Sequence, residues 1–186
     1  MPPRPKKEET YTYADYCTWD DSERWELIDG EAYAMSPAPS WVHQSLSMAL
    51  SVKIYNFLKD KPCKVFHAPF DVRLNGDADD DTVVQPDLVV ICDYTKITGS
   101  GCVGAPDMVI EILSPSTALH DRFLKFNTYL RAAVREYWIL DPDTRTLSAY
   151  ILKNGEYTAN VYGEEDTAPV RILEGLMIDL KEIFNY

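Results

Sequence analysis

Long hydrophobic runs are absent from this chain of 186 residues. A membrane-spanning helix needs about 20 consecutive apolar residues, and no segment approaches that length. Residues 1–7 include basic side chains, but no apolar region follows them, so we do not expect a signal peptide. The sequence therefore predicts a protein that has no membrane partner.

Cysteines are few, and their spacing indicates no metal or redox site. The four are Cys17, Cys63, Cys92 and Cys102, and none forms the C-x-x-C pair that is typical of zinc sites or redox motifs. Cys63 and Cys92 fall in strand-like runs, where we expect small core residues. A reducing cytoplasm is the location that this pattern favours.

Basic residues are also in short supply. The chain has 18 Lys and Arg against 30 Asp and Glu, which gives a formal net charge of −12. Proteins that hold a phosphate backbone usually present a basic face. A nucleic-acid partner is compatible with this composition only if the basic residues cluster or metal ions offset the acids at the site.

The remaining composition is that of a folded protein, with 46% hydrophobic and 12% aromatic residues. Periodicity and turn signals predict helices at 13–19, 41–59, 118–132 and 180–184, a hairpin at 25–35 that turns at Asp29-Gly30, and strands at 63–74, 83–92, 107–113, 135–140, 147–152 and 157–162. An exposed acidic loop is expected at 75–81. This order predicts an α+β (mixed α/β) fold with a central mixed sheet flanked by helices. We expect a flexible arm at 1–10 and a single domain at 11–186.

Two segments carry acidic residues where a buried strand disfavours them. They are 85–91 (QPDLVVI), which contains Asp87, and 106–114 (PDMVIEILS), which contains Glu111. A carboxylate inside an apolar run is costly unless a partner compensates it, and a divalent metal does so when two such acids meet. We therefore expect these strands to be neighbours whose carboxylates converge.

Lys125 is the best candidate for a third participant. It follows Asp121 by four positions, so both side chains share one face of the helix predicted after the Glu111 strand. A lysine ammonium near two metal-binding carboxylates can orient water or stabilise charge that develops in a transition state.

With these residues in view, the chain resembles the Uma-two family of the PD-(D/E)XK nuclease superfamily, whose members are grouped with restriction endonucleases. The resemblance covers residues 25–150, and its most specific parts are 85–87 (QPD), 104–116 (GAPDMVIEILSPS), Asp121 with Lys125 and Tyr129, and 136–142 (EYWILDP). It implies a restriction-endonuclease-like core.

The resemblance also implies a metal site. The two acids that hold Mg²⁺ (or Mn²⁺) in the superfamily match Asp87 and Glu111, and the backbone carbonyl of Ile112 would join them. The superfamily lysine stands two positions after the second acid, where this chain has Leu113. The resemblance implies that Lys125 has taken its place. Possible additional members are Glu26, for which Glu31 is the second choice, and His43.

The function implied is a metal-dependent endodeoxyribonuclease that acts as a homodimer on nucleic acid, with RNA left open beside DNA. Two alternatives remain. Leu113 and the net charge of −12 favour a silent nuclease fold that binds a nucleic acid or a protein. A structural homodimer that pairs aromatic strands is the other.

Each candidate residue also has an interpretation without catalysis. Asp87 could cap a strand, and Glu111 could form a structural ion pair with Lys125 or Arg122. Lys125 could be a solvated helix residue. Glu26 could be an ordinary hairpin residue, and His43 could serve packing alone.

Overall fold

The computed structural model describes residues 9–19, 23–35, 38–76, 79–115 and 120–186. The strands in these residues are β1 (Trp25–Ile28), β2 (Glu31–Ala34), β3 (Lys64–His67), β4 (Asp71–Arg73), β5 (Val83–Val84), β6 (Leu88–Ile91), β7 (Gly101–Val103), β8 (Met108–Ile112), β9 (Glu136–Asp141), β10 (Thr146–Lys153), β11 (Glu156–Gly163), β12 (Thr167–Pro169) and β13 (Met177–Asp179). The α-helices are α1 (Tyr13–Tyr16), α2 (Trp41–Leu58), α3 (Phe126–Arg131) and α4 (Leu180–Ile183).

The larger sheet of the described chain has six strands in the order β11-β10-β9-β8-β6-β3. Strands β8 and β9 are parallel, whereas β6 and β8 are antiparallel, so the sheet is mixed. Every residue of β6 and of β8 is buried, which agrees with their continuous apolar runs. The predicted α+β fold with a mixed sheet flanked by helices is confirmed.

Alternation along β6 and β8 divides the core into two layers. Leu88 of β6 and Ile110 of β8 pack on one side with the inner face of α2. Val89 and Val109 face the other side, where the core includes Tyr129 of α3 and residues of a second sheet. Glu111 follows Ile110, so the period of two places its side chain on the α3 side.

The second sheet was not foreseen, and it corrects the predicted strand at 83–92. Five described strands form it in the order β2-β1-β5-β4-β7. The apolar run breaks at Pro86, which has no N–H to donate to a sheet ladder. Its first part, β5, belongs to the second sheet and its second part, β6, to the larger one. The run at 63–74 divides between the two sheets in the same way, as β3 and β4.

Helix α2 matches its prediction closely and supports one side of the larger sheet. Ser40 caps it, because its hydroxyl accepts a hydrogen bond from the backbone N–H of His43 at 3.2 Å. The buried positions recur every four residues and are Leu46, Leu50, Ile54 and Leu58. This stripe holds the N-terminal turn of the helix, and with it His43, at one edge of the sheet.

The helix predicted at 118–132 is irregular. Residues 116–119 lie outside the described chain; His120–Lys125 is a π-helical segment, and α3 follows it directly. The π turn is wider than an α turn, but Nζ of Lys125 still lies 3.6 Å from Oδ1 of Asp121. The expectation that the two side chains share a face is confirmed. Such π segments are rare and frequently lie at functional sites.

Cys63 lies in the core on the α2 side and Cys92 packs against it, as expected, but a bond between them was not predicted. Cys63 precedes β3 and Cys92 follows β6, and the pairing of Lys64 with Ile91 brings them opposite each other. They form a disulfide bond, while Cys17 and Cys102 have free thiols. The sequence spacing of 29 residues held no sign of this pairing, because antiparallel register is a tertiary property.

The acidic loop is only partly solvated. Residues 77 and 78 lie outside the described chain, but Asp80 is fully buried. Its carboxylate accepts hydrogen bonds from Arg73 at 3.2 Å and from the backbone N–H groups of Gly76 and Thr82. The loop is therefore anchored by one of its own acids.

The C-terminal region adds a small hairpin that the sequence did not predict. Strands β12 and β13 pair with each other, and Ala168 and Ile178 extend the core on the α2 side. Helix α4 follows, as predicted. In the described residues, no helix combines the length and apolarity needed to cross a membrane.

Candidate active site

Asp87 and Glu111 converge, as predicted. In the register of β6 and β8, Leu88 lies opposite Ile110, so the next pair outward is Asp87 and Glu111. The backbone N–H of Asp87 lies 3.4 Å from the Glu111 Oε2 atom. Since directly opposite residues in a sheet share a face, both carboxylates point to the same side.

Asp87 is held at the edge of the sheet by two contacts. Its Oδ2 atom accepts a hydrogen bond from the backbone N–H of Ile112 at 2.7 Å and lies 3.1 Å from Nε2 of His43. The other oxygen, Oδ1, has no hydrogen bond to any part of the described chain. Asp87 therefore does more than cap a strand, since one oxygen is fixed and the other stays available.

Lys125 is buried among carboxylates and is not a solvated helix residue. Its ammonium lies 2.8 Å from Glu26 Oε1, 3.0 Å from Glu111 Oε1 and 3.6 Å from Asp121 Oδ1. Its side chain is only 5% exposed. The ion pair between Glu111 and Lys125 that the structural alternative required is present, whereas Arg122 pairs with Asp141 instead.

Glu26, the first choice for an additional acid, lies in this cluster. It is buried on β1, and its Oε1 atom accepts a hydrogen bond from the backbone N–H of Gln85 at 2.8 Å as well as from Lys125. Glu31, the second choice, is exposed, and its carboxylate accepts a hydrogen bond from the Tyr33 hydroxyl at 2.8 Å. The break at Pro86 leaves the Gln85 N–H free of the ladder and available to Glu26.

The charges of the cluster are strongly perturbed. Burial raises the pKa of Glu111 well above its usual range; Lys125 opposes this shift, and Asp121, Asp87 and Glu26 add to it. Burial alone would lower the pKa of Lys125, but Glu111, Glu26 and Asp121 outweigh burial and raise it. We conclude that Lys125 stays charged at neutral pH.

His43 joins the cluster through Asp87. Burial lowers its pKa, but the hydrogen bond and charge of Asp87 outweigh burial, so the pKa is raised above 6.5. Its Nδ1 atom is buried and has no hydrogen-bond partner in the described residues. His43 therefore does not serve packing alone, because it lies at hydrogen-bond distance from a carboxylate.

His43, Asp87, Glu111 and Lys125 line a groove of about 760 Å³. Its charged and histidine lining residues are Arg24, His43, Asp87, Glu111, Asp121, Arg122, Lys125, Asp141 and Asp143. The groove is large enough for a polymer segment, and its acids outnumber its cations.

The donor set fits a divalent cation of the magnesium type. Three carboxylates (Glu26, Glu111 and Asp121) contact one ammonium, and Asp87 adjoins Glu111, so the cluster has excess negative charge away from water. Asp87 Oδ1 and Glu111 Oε2 are the oxygens least engaged by the protein. Among the described residues, no three His, Cys, Asp or Glu side chains are close enough to bind one ion. Mg²⁺ does not need three, because it often binds through one or two carboxylates and keeps several waters.

Sequence reasoning missed two members of the cluster. Asp121 was noted only as the helix partner of Lys125, yet it contributes a third carboxylate. Tyr129 was noted only as part of a motif, yet its buried hydroxyl donates to Glu111 Oε1 at 2.8 Å. The spacing of four between Asp121, Lys125 and Tyr129 was the signal that could have identified both, since it places them on one face.

Residues 12–181 match the family model of Uma2, described as "Putative restriction endonuclease". This chain belongs to the Uma2 family. Two uncharacterized proteins of Synechocystis sp. are similar to it: slr1290 is 28% identical over 70% of this chain and 67% of its own length, and sll1609 is 30% identical over 70% and 74%.

A solved structure supports the fold of this Uma2 chain. The crystal structure of a protein from Anabaena variabilis, described as a "putative nuclease belonging to DUF820", has a TM-score of 0.75. The match covers 94% of this chain and 97% of the other. The two sequences are 20% identical, so the similarity indicates a shared fold and nothing about function. The family match indicates a nuclease.

Proposed function

We propose that this Uma2 protein is a metal-dependent endonuclease that hydrolyses phosphodiester bonds in DNA. The observation that supports this most directly is the convergence of Asp87 and Glu111 beside a buried, charged Lys125 on the floor of an open groove. Two acids and a lysine in this arrangement match the chemistry of phosphodiester hydrolysis.

Asp87, Glu111 and the backbone carbonyl of Ile112 would hold Mg²⁺ or Mn²⁺. Such an ion polarises a phosphoryl oxygen and lowers the pKa of bound water when it is present. The fit rests on the excess negative charge of the cluster and on the two carboxylate oxygens that the protein leaves available.

Lys125 would act on the reacting phosphate directly. Its ammonium is rigidly held by Glu26, Glu111 and Asp121, so it needs little reorganisation to stabilise negative charge that develops next to Glu111. Glu26 and Asp121 would keep Lys125 protonated and oriented, because both raise its pKa. His43 would orient Asp87.

One observation favours the second candidate, a silent nuclease fold that binds a nucleic acid or a protein. Lys125 contacts three carboxylates, and Leu113 stands where the superfamily has its lysine. If those carboxylates hold the ammonium away from substrate, the ion pair serves stability alone.

Nicking of supercoiled plasmid DNA by the purified protein, with Mg²⁺ or Mn²⁺ and with chelator, tests the proposal. We expect metal-dependent nicking that Glu111→Gln abolishes. Absence of cleavage with either metal, on DNA and on RNA substrates, would favour the silent-fold candidate. The homodimer and the cytoplasmic location stay predictions; light scattering tests the first.

A further inference from the structure

Arg24 has an unusual environment for an arginine of this chain. It is exposed and lines the same groove as Asp87 and Glu111. Its Nε and Nη2 atoms both donate to the side-chain oxygen of Gln85, at 2.9 and 2.6 Å. Within the described residues it makes no direct ion pair, although its charge opposes the rise in the pKa of Asp71 on the far side of Gln85. The group that contacts and orients the guanidinium is therefore neutral.

Gln85 can present only its oxygen to Arg24. Its amide nitrogen donates to Asp71 Oδ1 at 2.8 Å and to the Tyr16 hydroxyl at 3.0 Å. Both donor hydrogens are therefore used on the side away from Arg24. The Gln85 side chain is almost fully buried, so this network holds the guanidinium against the segment that leads into Asp87.

The other strong cations of the groove are already neutralised. Lys125 is buried among three carboxylates, and Arg122 donates to Asp141 Oδ2 at 2.7 Å. Apart from a bound metal ion, only an available cation makes an acidic groove attractive to a polyanion. Arg24 is the groove arginine that has a fixed position and no carboxylate in direct contact with it among the described residues.

We propose that Arg24 is a phosphate-binding residue that positions the nucleic-acid backbone next to the Asp87 and Glu111 centre. This inference rests on the proposed function, and it names the contact by which an acidic chain of net charge −12 engages a polyanion. The guanidinium binds a phosphate that flanks the reacting one, through the donors that Gln85 leaves free. Gln85 is the residue that positions Arg24.

Fluorescence anisotropy of a labelled DNA duplex tests the contact separately from cleavage. Binding is measured in Ca²⁺ at salt concentrations between about 50 and 200 mM for wild type, Arg24→Ala, Arg24→Lys and Arg131→Ala. Arg131→Ala removes the same charge from an exposed arginine that pairs with Asp29 outside the groove.

We expect Arg24→Ala to bind roughly tenfold more weakly, because it loses a charged hydrogen-bonding contact. The slope of log Kd against log salt should fall by about one, since one phosphate contact is lost. Arg24→Lys should keep the wild-type slope, and Arg131→Ala should bind like wild type.

Equal binding and slope for wild type and Arg24→Ala, or an equal loss for Arg131→Ala, would overturn the role of Arg24. The proposed function would survive that result if wild type still nicks plasmid in Mg²⁺. A wild type that neither binds nor nicks overturns both proposals. Binding without nicking rejects the nuclease, and weaker binding by Arg24→Ala then still supports the role of Arg24.

Discussion

Lys125 keeps a positive charge although its side chain is buried. Full burial opposes its charge, yet three surrounding carboxylates outweigh that penalty. Removing one partner from such a cluster leaves uncompensated buried charge, which typically costs about 3–5 kcal/mol. The same residue therefore supports both stability and the proposed chemistry, and the two roles must be measured separately.

Replacement of Lys125 by alanine should abolish cleavage while metal binding is retained. An ammonium does not ligate a cation, but it stabilises transition-state charge, and loss of one such contributor costs on the order of 10²–10³ in rate. Plasmid nicking measures the rate, and calorimetric titration with Mn²⁺ measures binding. Circular dichroism shows that the variant is folded at the assay temperature.

Lys53→Ala is the control for that variant. Lys53 is a half-exposed residue of α2 that pairs with Glu182 at the surface, so its loss removes one charge without touching the groove. Equal cleavage by wild type, Lys53→Ala and Lys125→Ala would remove Lys125 from the mechanism.

A second prediction at the residue scale concerns Asp87 and the binding of Mn²⁺. Mn²⁺ should stabilise the wild type against thermal unfolding, by about 2.7 kcal/mol at 100 times the Kd, because it binds only the folded state. Asp87→Asn should lose most of this stabilisation. Its amide oxygen can still accept the Ile112 N–H bond, so the variant changes charge more than shape. Differential scanning calorimetry with and without Mn²⁺ measures both proteins.

Asp143→Asn provides the comparison, because Asp143 also lines the groove and carries the same charge but lies outside the carboxylate cluster around Lys125. If Mn²⁺ stabilises Asp87→Asn as much as wild type, the ion binds elsewhere.

At the scale of elements, α2 and the strand pair β6 and β8 position the site together. The strands supply the opposed acids, and α2 brings His43 to Asp87 from the other layer. The helix depends on packing, because its buried residues all belong to the core on that side of the larger sheet. Loss of that packing should displace His43 as well as destabilise the fold.

Leu50→Ala in α2 should destabilise the protein by about 2–5 kcal/mol, because a fully buried leucine leaves a cavity when it is truncated. Met48→Ala in the same helix should change the unfolding free energy by less than about 0.5 kcal/mol, since Met48 is 65% exposed. Urea unfolding followed by circular dichroism measures both. A similar loss for the two variants would mean that the inner face of α2 is assigned wrongly.

At the scale of the whole molecule, burial or partial burial shifts the pKa of several acids in the same direction. Burial raises the pKa of Glu111 and of Glu136 above 4.5 and that of Asp71 above 3.8. His43 is also raised, because Asp87 outweighs its burial. Each of these groups binds its proton more tightly in the folded state than in the unfolded state. Their contributions to stability are therefore complete below the ordinary pKa and are lost as pH rises through the folded pKa.

Without metal, the free energy of unfolding should consequently fall between about pH 5 and about pH 8. Urea midpoints across this range, in chelator, test the prediction. Glu136→Gln should have a shallower dependence, because it removes one buried acid that lies away from the groove. Stability that rises with pH in both proteins would contradict the assignment. Asp15 and Asp93 do not interfere, since hydrogen bonds to Thr12 and Thr95 lower their pKa below 3.8.

Local patterns in the sequence were sufficient to predict most helices and strands and the main candidate site residues. The spacing of apolar residues predicted α2, and Asp29-Gly30 predicted the β1–β2 turn, because both depend on backbone preferences within a few residues. Acids inside apolar runs identified Asp87 and Glu111, since the cost of burying a charge is visible from its neighbours alone.

Only the tertiary structure determined which distant segments of the chain became neighbours. The division of 83–92 at Pro86, the disulfide between Cys63 and Cys92, and the approach of Glu26 to Lys125 all depend on which strands become neighbours. Arg24 acquires its fixed position only because Gln85, Asp71 and Tyr16 meet across the second sheet. Strand pairing is a global choice among many registers of similar local propensity, so residues so far apart along the chain carry no local signal of their contact.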